Sequence, residues 1–340
     1  MRRNLIATFA AAFAICALGA TADGPAPLKL VQTFKLPGAV KGHFDHFGVD
    51  LPGHRLFATA ERYNSVLVMD LGAGKLIHTM GGIGIPHAVL YREDLDRIYV
   101  TDGGEGALKI YDGKTYNLIK SVKLLVDSDS IVYDPATRYV YVVNGGGDAR
   151  QTASTVSIID TSSGDKVGDI KIDGDTLEAM ALERSSPRMY VNNRAKNRVE
   201  VIDRAQRSIL ASWPVTLGKV NVAMALDESA HRLFVACRSG QVVVFDTETG
   251  KELQALPIAK GVDDLAFDPA SKRIYAACGD GAGSVDVYKE EDPDHFRSLG
   301  RVPSGPLGRT ARLVPELNRY FVAVPGNETK PAEVLVYQIQ

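Results

Sequence analysis

Short runs rich in β-branched and aromatic residues recur along this chain, each bounded by Gly, Pro or Asp. That is the pattern of strands joined by tight turns. Seven of the runs carry the same triplet, in which an apolar residue leads into an aromatic one: Arg55-Leu56-Phe57, Arg97-Ile98-Tyr99, Tyr139-Val140-Tyr141, Arg188-Met189-Tyr190, Arg232-Leu233-Phe234, Arg273-Ile274-Tyr275 and Arg319-Tyr320-Phe321. Their aromatic ends lie 42, 42, 49, 44, 41 and 46 residues apart. The sixth unit shows the full pattern. Asp263 to Asp268 reads as one strand, Arg273 to Cys278 as a second, Ser284 to Tyr288 as a third and Phe296 to Val302 as a fourth, with a Pro turn and a Gly-rich turn between the first three.

A period of about 40–45 residues built from four short strands is that of a propeller blade. Seven units predict an all-β, seven-bladed β-propeller of four-stranded antiparallel blades around a central channel. The seventh unit has no outer strand after Val334 to Tyr337. Leu28 to Leu36 resembles the outer strands Leu118 to Leu124 and Glu252 to Ile258. It is predicted to close the ring as the last blade's fourth strand, so that no sheet edge is left open. A ring of repeats is one domain whatever its length, which assigns residues 23–340 to a single propeller. Two turns are longer than the rest, Asn144 to Ser154 and Gly326 to Glu333.

The Arg-Ile-Tyr-Val and Arg-Leu-Phe-Val repeats, each followed by a strand of the Val-x-Val-Ile-Asp type, resemble those of the secreted YVTN-repeat (YncE-like) β-propellers. The resemblance covers the whole predicted mature chain and implies the propeller fold. It also implies a binding or surface role more than catalysis, although the broader set of seven-bladed relatives includes lactonases and cofactor-bearing dehydrogenase subunits. No short catalytic motif of those groups is present, so no site residue is carried over from them.

The N-terminus reads as a secretory signal, with Arg2 and Arg3 before an apolar stretch from Leu5 to Leu18 and a small-x-small site at Ala20-Thr21-Ala22. Cleavage near Ala22 would deliver a periplasmic or secreted protein. The apolar stretch is too short for a transmembrane helix, and no other stretch spans a bilayer. Removing residues 1–22 takes away two of the 39 basic residues and none of the 41 acidic ones, so net charge moves from −2 to −4. With no clustered run of Lys and Arg, nucleic acid is not an expected partner. A monomer is expected, with a small-molecule or protein ligand. Cys237 and Cys278 occupy equivalent positions in neighbouring units, which usually stand further apart than the ~6 Å Cα spacing of a disulfide; a disulfide is the alternative in an oxidising compartment. They are expected as buried small hydrophobes.

The chemistry is sought where inner strands reach the channel. Aligning the units on the residue before the first turn matches Asp50, Arg92, Asp134, Glu183, Asp227, Asp268 and Pro315. Five residues earlier stand Asp45, His87, Asp129, Glu178, Val222, Asp263 and Thr310, with Asn221 and Arg309 one residue before the two non-ionisable members. Polar groups converging on one channel mouth make a ligand site. Asp45, His87, Asp129, Glu178, Asn221, Asp263, Arg309 and Arg312 are therefore the candidate ligand-binding residues. Arg309 and Arg312 would either clamp a carboxylate or phosphate or pair with the acids of the same mouth. A wet channel also accommodates polar side chains that bind nothing.

Lys41 to Phe47 is the densest local signal. Strand alternation puts His43 and Asp45 on one face and Phe44 and His46 on the other, so His43, Asp45 and His87 are the candidate metal ligands and His46 is expected in the core. Asp127-Ser128-Asp129 has oxygen donors but lacks a calcium-binding loop. Two functional readings follow. One is a non-catalytic binding or interaction module that requires no cofactor. The other is a metal-assisted, lactonase-like hydrolase in which calcium or another divalent ion polarises an ester carbonyl.

Overall fold

The computed structural model describes residues 25–340, so the predicted signal segment 1–22 lies outside the described residues. The chain folds into seven four-stranded antiparallel sheets. Six are each built from four consecutive strands. Their innermost strands are Phe44–Asp50, Pro86–Arg92, Ile131–Asp134, Leu177–Leu182, Asn221–Asp227 and Val262–Asp268. The seventh takes Thr310–Val314, Arg319–Val324 and Glu333–Ile339, and completes itself with Leu28–Lys35. Each inner strand touches the inner strands of both neighbouring blades, which makes the ring continuous.

The predicted closing strand pairs from Leu28 opposite Ile339 to Lys35 opposite Glu333, with one irregularity between Leu30 and Gln32. Leu36 lies just past the strand, buried, its amide donating to Ala332 O at 3.0 Å. Phe34 is 1% exposed and meets Phe321 with ring centroids 6.3 Å apart. The two ends of the chain are thus joined by a full strand pairing and by an aromatic contact beneath it.

The repeated triplet has a direct packing explanation. Among the described residues the core divides into seven apolar clusters, one at each junction between blades. Successive side chains of a strand point to opposite faces, and here both faces are covered by a neighbouring blade. In the second strand of blade 2, Ile98 packs back against blade 1 and Tyr99 forward against blade 3. Leu56 and Phe57, Met189 and Tyr190, and Ile274 and Tyr275 divide in the same way. The leading Arg ties the strand to its turn: Arg55 lies 2.6 Å from Asp50 and Arg188 3.1 Å from Glu183. Cys237 and Cys278 are buried and unpaired, each within such a junction.

Among the described residues four turns tighten into single 3₁₀ segments, Glu61–Tyr63, Glu93–Leu95, Arg194–Lys196 and Pro315–Leu317. Each ends in an Asn or Asp with a left-handed backbone: Asn64 (φ 54°), Asp96 (φ 48°), Asn197 (φ 50°) and Asn318 (φ 53°). These are the non-glycine residues that tolerate that conformation best. Among the described residues no helix is long and apolar enough to cross a membrane.

Removing the closing strand should expose the edge of blade 7 and its aromatic contact. Deletion of residues 25–35 should lower the melting temperature sharply and promote association, and Phe34→Ala alone should destabilise by about 3–5 kcal/mol. Urea unfolding and size-exclusion chromatography measure both effects. A monomeric deletion variant with unchanged stability would contradict closure by this strand.

Candidate functional site

The inner strands do not begin as regular strands. In blade 1, Phe44 pairs with Ala60 and Phe47 with Ala58, so Asp45 and His46 together face the single residue Thr59. In blade 2, His87 and Ala88 face Thr101, and in blade 4, Glu178 and Ala179 face Asn192. In blades 5 and 6 one extra residue, Val222 and Asp263 respectively, is inserted at the same point. These are β-bulges, which break the alternation of side chains and re-aim them. The facing Thr supports the bulge: Thr59 Oγ1 accepts from Asp45 N at 3.2 Å, and Thr101 Oγ1 from Ala88 N at 2.8 Å.

The bulges aim side chains into a cavity of about 290 Å³ at one mouth of the channel. Asp45, His87, Asp129, Glu178, Asp263 and Arg309 all line it, as does Val222. The shared register read from the sequence is therefore a shared place in space. The wall carries eight carboxylates against three arginines and two histidines, an excess of acid that makes the charge balance of the site depend on the histidines.

Asp45 is the hub. Its Oδ2 lies 2.7 Å from His87 Nδ1 and its Oδ1 3.5 Å from His46 Nε2. His46 Nδ1 is in turn 2.9 Å from Asp264 Oδ1, and Asp264 Oδ2 accepts the amide of Ala311 at 2.7 Å. Room for the His87 ring comes from Gly103, where a Cβ would stand 2.6 Å from His87 Nε2. On the other side of the mouth, Asp263 sits between Arg238 and Arg309, with Arg309 Nε 2.9 Å away, and Glu178 accepts from Arg194 at 2.8 Å. Asp129 Oδ1 is shielded from solvent without a hydrogen-bond partner.

These neighbours divide the titrations. Burial opposes protonation of His87, but Asp129 and the hydrogen bond to Asp45 outweigh it and push its pKa up to about 10. Burial likewise opposes a charged His46, and Asp45 and Asp264 reverse the sign, holding it well above the usual histidine range. Burial would raise Asp45, yet the charges of His46 and His87 bring it below the usual carboxylate value. Burial, then the Asp45 charge, lifts Glu61 to about 7. Burial, reinforced by Asp45 and Glu178, raises Asp129 well above its ordinary value. Groups pushed apart in this way are characteristic of functional sites and also arise in structural ion-pair networks.

Three sequence expectations are corrected. Asn221 does not reach the cavity. It is fully buried between blades 4 and 5, donating to Asn192 Oδ1 at 2.8 Å and to Arg198 O at 3.1 Å, and Val222 faces the channel in its place. Arg312 lies further along the channel, beside Asp264 in a second cavity of about 270 Å³ lined mostly by inner-strand backbone and apolar side chains. His43 is outside the Asp45–His87 pair, because the bulge brings His46 rather than His43 to the channel side. Among the described residues, the groups with metal-ligating geometry are Asp45, His46 and Asp129, and Asp45, Glu61 and His87. Thr310 turns inward to donate to Phe44 O at 2.9 Å, fastening blade 7 to blade 1.

Sequence reasoning also missed Glu61, Arg194 and Arg238. All three come from turns between second and third strands, in blades 1, 4 and 5. The longer turn of blade 3 brings Asp148 to the same cavity.

The ionisation pattern has a measurable sign. The folded His87 value of about 10 lies above its ordinary 6.5. The stability it contributes is therefore complete below the unfolded value and lost as pH rises through about 10. For Glu61 the folded value of about 7 lies above 4.5. Ionising it in the folded protein therefore carries a penalty that grows over that interval and is full at alkaline pH. Glu61→Gln should raise the urea midpoint at pH 8 and leave it unchanged at pH 4, in protein treated with a chelator. An equal effect at both pH values would contradict the assignment.

No model of a known protein family matches the chain. Over 117 residues, 34% of this chain, it is 31% identical to the uncharacterised protein YncE of Salmonella typhi, and over the same length 30% identical to that of Salmonella typhimurium. The chain spans about a third of the length of these curated relatives, 32% in each case. Among solved structures, a chain of the mitotic checkpoint complex superposes with a TM-score of 0.76 at 12% identity, covering 99% of both chains. Hydrazine synthase of Kuenenia stuttgartiensis gives 0.72 at 16% identity, covering 90% of this chain and 97% of that one. At such identities the structures share the fold alone. The chain is a seven-bladed all-β propeller with weak, partial homology to YncE.

Proposed function

We propose that this propeller is a periplasmic or secreted binding protein that holds a small, hydrophilic ligand of mixed charge in the mouth of its channel. The observation that carries the reading is the segregation of charge around one cavity. Arginines enter from blades 4 and 5 and from the connection into blade 7, as Arg194, Arg238 and Arg309. Six carboxylates with no arginine partner enter from blade 1, from blade 3 and from the connections into blades 3 and 4, as Asp45, Glu61, Asp127, Asp129, Asp148 and Asp175. A ligand with an anionic and a cationic end, about the size of an amino acid, matches both the polarity and the 290 Å³. Its anion would meet Arg238 and Arg309, competing with Asp263, and its cationic end would meet the arc around Asp129.

The second reading is a metal-assisted hydrolase. It is favoured by the two three-residue ligand groups that share Asp45, since an ion there could polarise an ester carbonyl at the same mouth.

A thermal-shift screen of small zwitterions, amines and carboxylates, run in EDTA, tests the first reading. A ligand present at about 100 times its Kd should raise the melting temperature by about 5 °C. Arg309→Ala and Asp148→Asn, both folded, should lose that shift. Failure of every ligand class to separate these variants from the parent would overturn the reading. Turnover of a lactone or ester by the parent would favour the second.

A further inference from the structure

We infer that Asp45, His46 and Asp129 form a binding centre for a divalent transition-metal ion. The inference rests on the channel mouth being a binding site and specifies what part of it binds. Each of the three side chains brings one ligand atom to within 4.8 Å of the other two. Coordination at about 2.0–2.2 Å requires ligand atoms about 3–3.5 Å apart. The His46–Asp45 approach, at 3.5 Å, already meets that spacing.

Three further observations distinguish this group from a patch of acid. First, the histidine is oriented. Its Nδ1 is held by Asp264, which is itself fixed by the amide of Ala311. Nε2 is therefore the nitrogen turned toward Asp45. A ligating imidazole whose other nitrogen is held by a carboxylate is the usual arrangement around a bound metal. Second, Asp45 is oriented from the far side, because His87 holds Oδ2 and leaves Oδ1 toward His46. Third, Asp129 Oδ1 is a solvent-shielded oxygen with no hydrogen-bond partner. Burying such an atom is unfavourable unless something satisfies it, and a cation between Asp129 and Asp45 would do so.

The donor set selects the class of ion. One imidazole and two carboxylates suit zinc or manganese, whereas calcium takes six to eight oxygens. Three protein ligands, two on the first inner strand and Asp129 in the connection just before the third, leave coordination positions open toward the cavity, where a ligand's carboxylate or amine can complete the sphere. The alternative occupant of the same space is a proton on His46, bridging Asp45 and Asp264.

Calorimetric titration of tag-free, chelator-stripped full-length protein with zinc chloride and manganese chloride, without organic ligand, decides between them. One ion should bind per chain. Asp264→Asn should weaken binding about 10- to 100-fold, and Asp129→Asn by at least as much, with circular dichroism showing both variants folded. Neither ion binding to the folded parent, calcium binding more tightly than zinc, or unchanged affinity in Asp129→Asn would each overturn the metal centre. None of these outcomes alters the ligand screen, which is read in EDTA.

Discussion

Everything in this molecule depends on the two-sided burial of its second strands. A sheet with one face in water needs apolar residues only at alternate positions, but each sheet here is covered on both faces by its neighbours. Leu56 and Phe57, or Ile274 and Tyr275, therefore sit side by side in sequence and serve different cores. No blade has a core of its own. Each holds half of two, so a blade is stable only between two others, and the ring is the smallest arrangement in which none is left half covered. The buried tyrosines and phenylalanines set the spacing between sheets, and that spacing fixes where the inner strands converge.

The channel mouth is a consequence of that convergence modified by bulges. Regular inner strands would send alternate residues into the blade junctions. The inserted residue at the start of five of them turns an extra side chain toward the axis instead. Asp45 and His46 in blade 1, and Asp263 and Asp264 in blade 6, come to line the channel as consecutive pairs. Because the bulges are stapled by Thr59 and Thr101 and sit on strands packed on both sides, the polar groups are held before any ligand arrives. Preorganisation of this kind favours binding, since little conformational freedom remains to be lost.

The fold was legible because the chain repeats it seven times, and a triplet that recurs at one position in each unit cannot be mistaken for chance packing. The same register located Asp45, His87, Asp129, Glu178 and Asp263, because counting back from the shared turn position is insensitive to how the intervening strand is shaped. It failed wherever shape mattered. His43 and His46 were exchanged, and Asn221 was placed in the channel in preference to Val222, because strict alternation takes no account of a bulge. Glu61, Arg194 and Arg238 lie on turns whose direction depends on a 3₁₀ closure or on a neighbouring blade, and nothing in the inner-strand register refers to them. Arg312 follows Arg309 by three residues, enough on an extended strand to carry it into a different cavity.

The pairing of Leu28–Lys35 with Glu333–Ile339 has a kinetic meaning as well. Leu28 and Ile339 are partners across 311 positions of sequence, from 339 less 28. A contact of that separation forms late, since the entropy of closing so long a loop is recovered only once the intervening blades have ordered and shortened the effective distance. Six blades can assemble in the order they are made, each stacking on the last, while blade 7 waits with its outer edge unpaired. The rate at which the open ring finds its own first strand, against the rate at which that edge meets another chain, then decides between a finished propeller and an aggregate. The first strand carries charge at Lys29 and Lys35, residues that discourage pairing with a foreign edge during that interval.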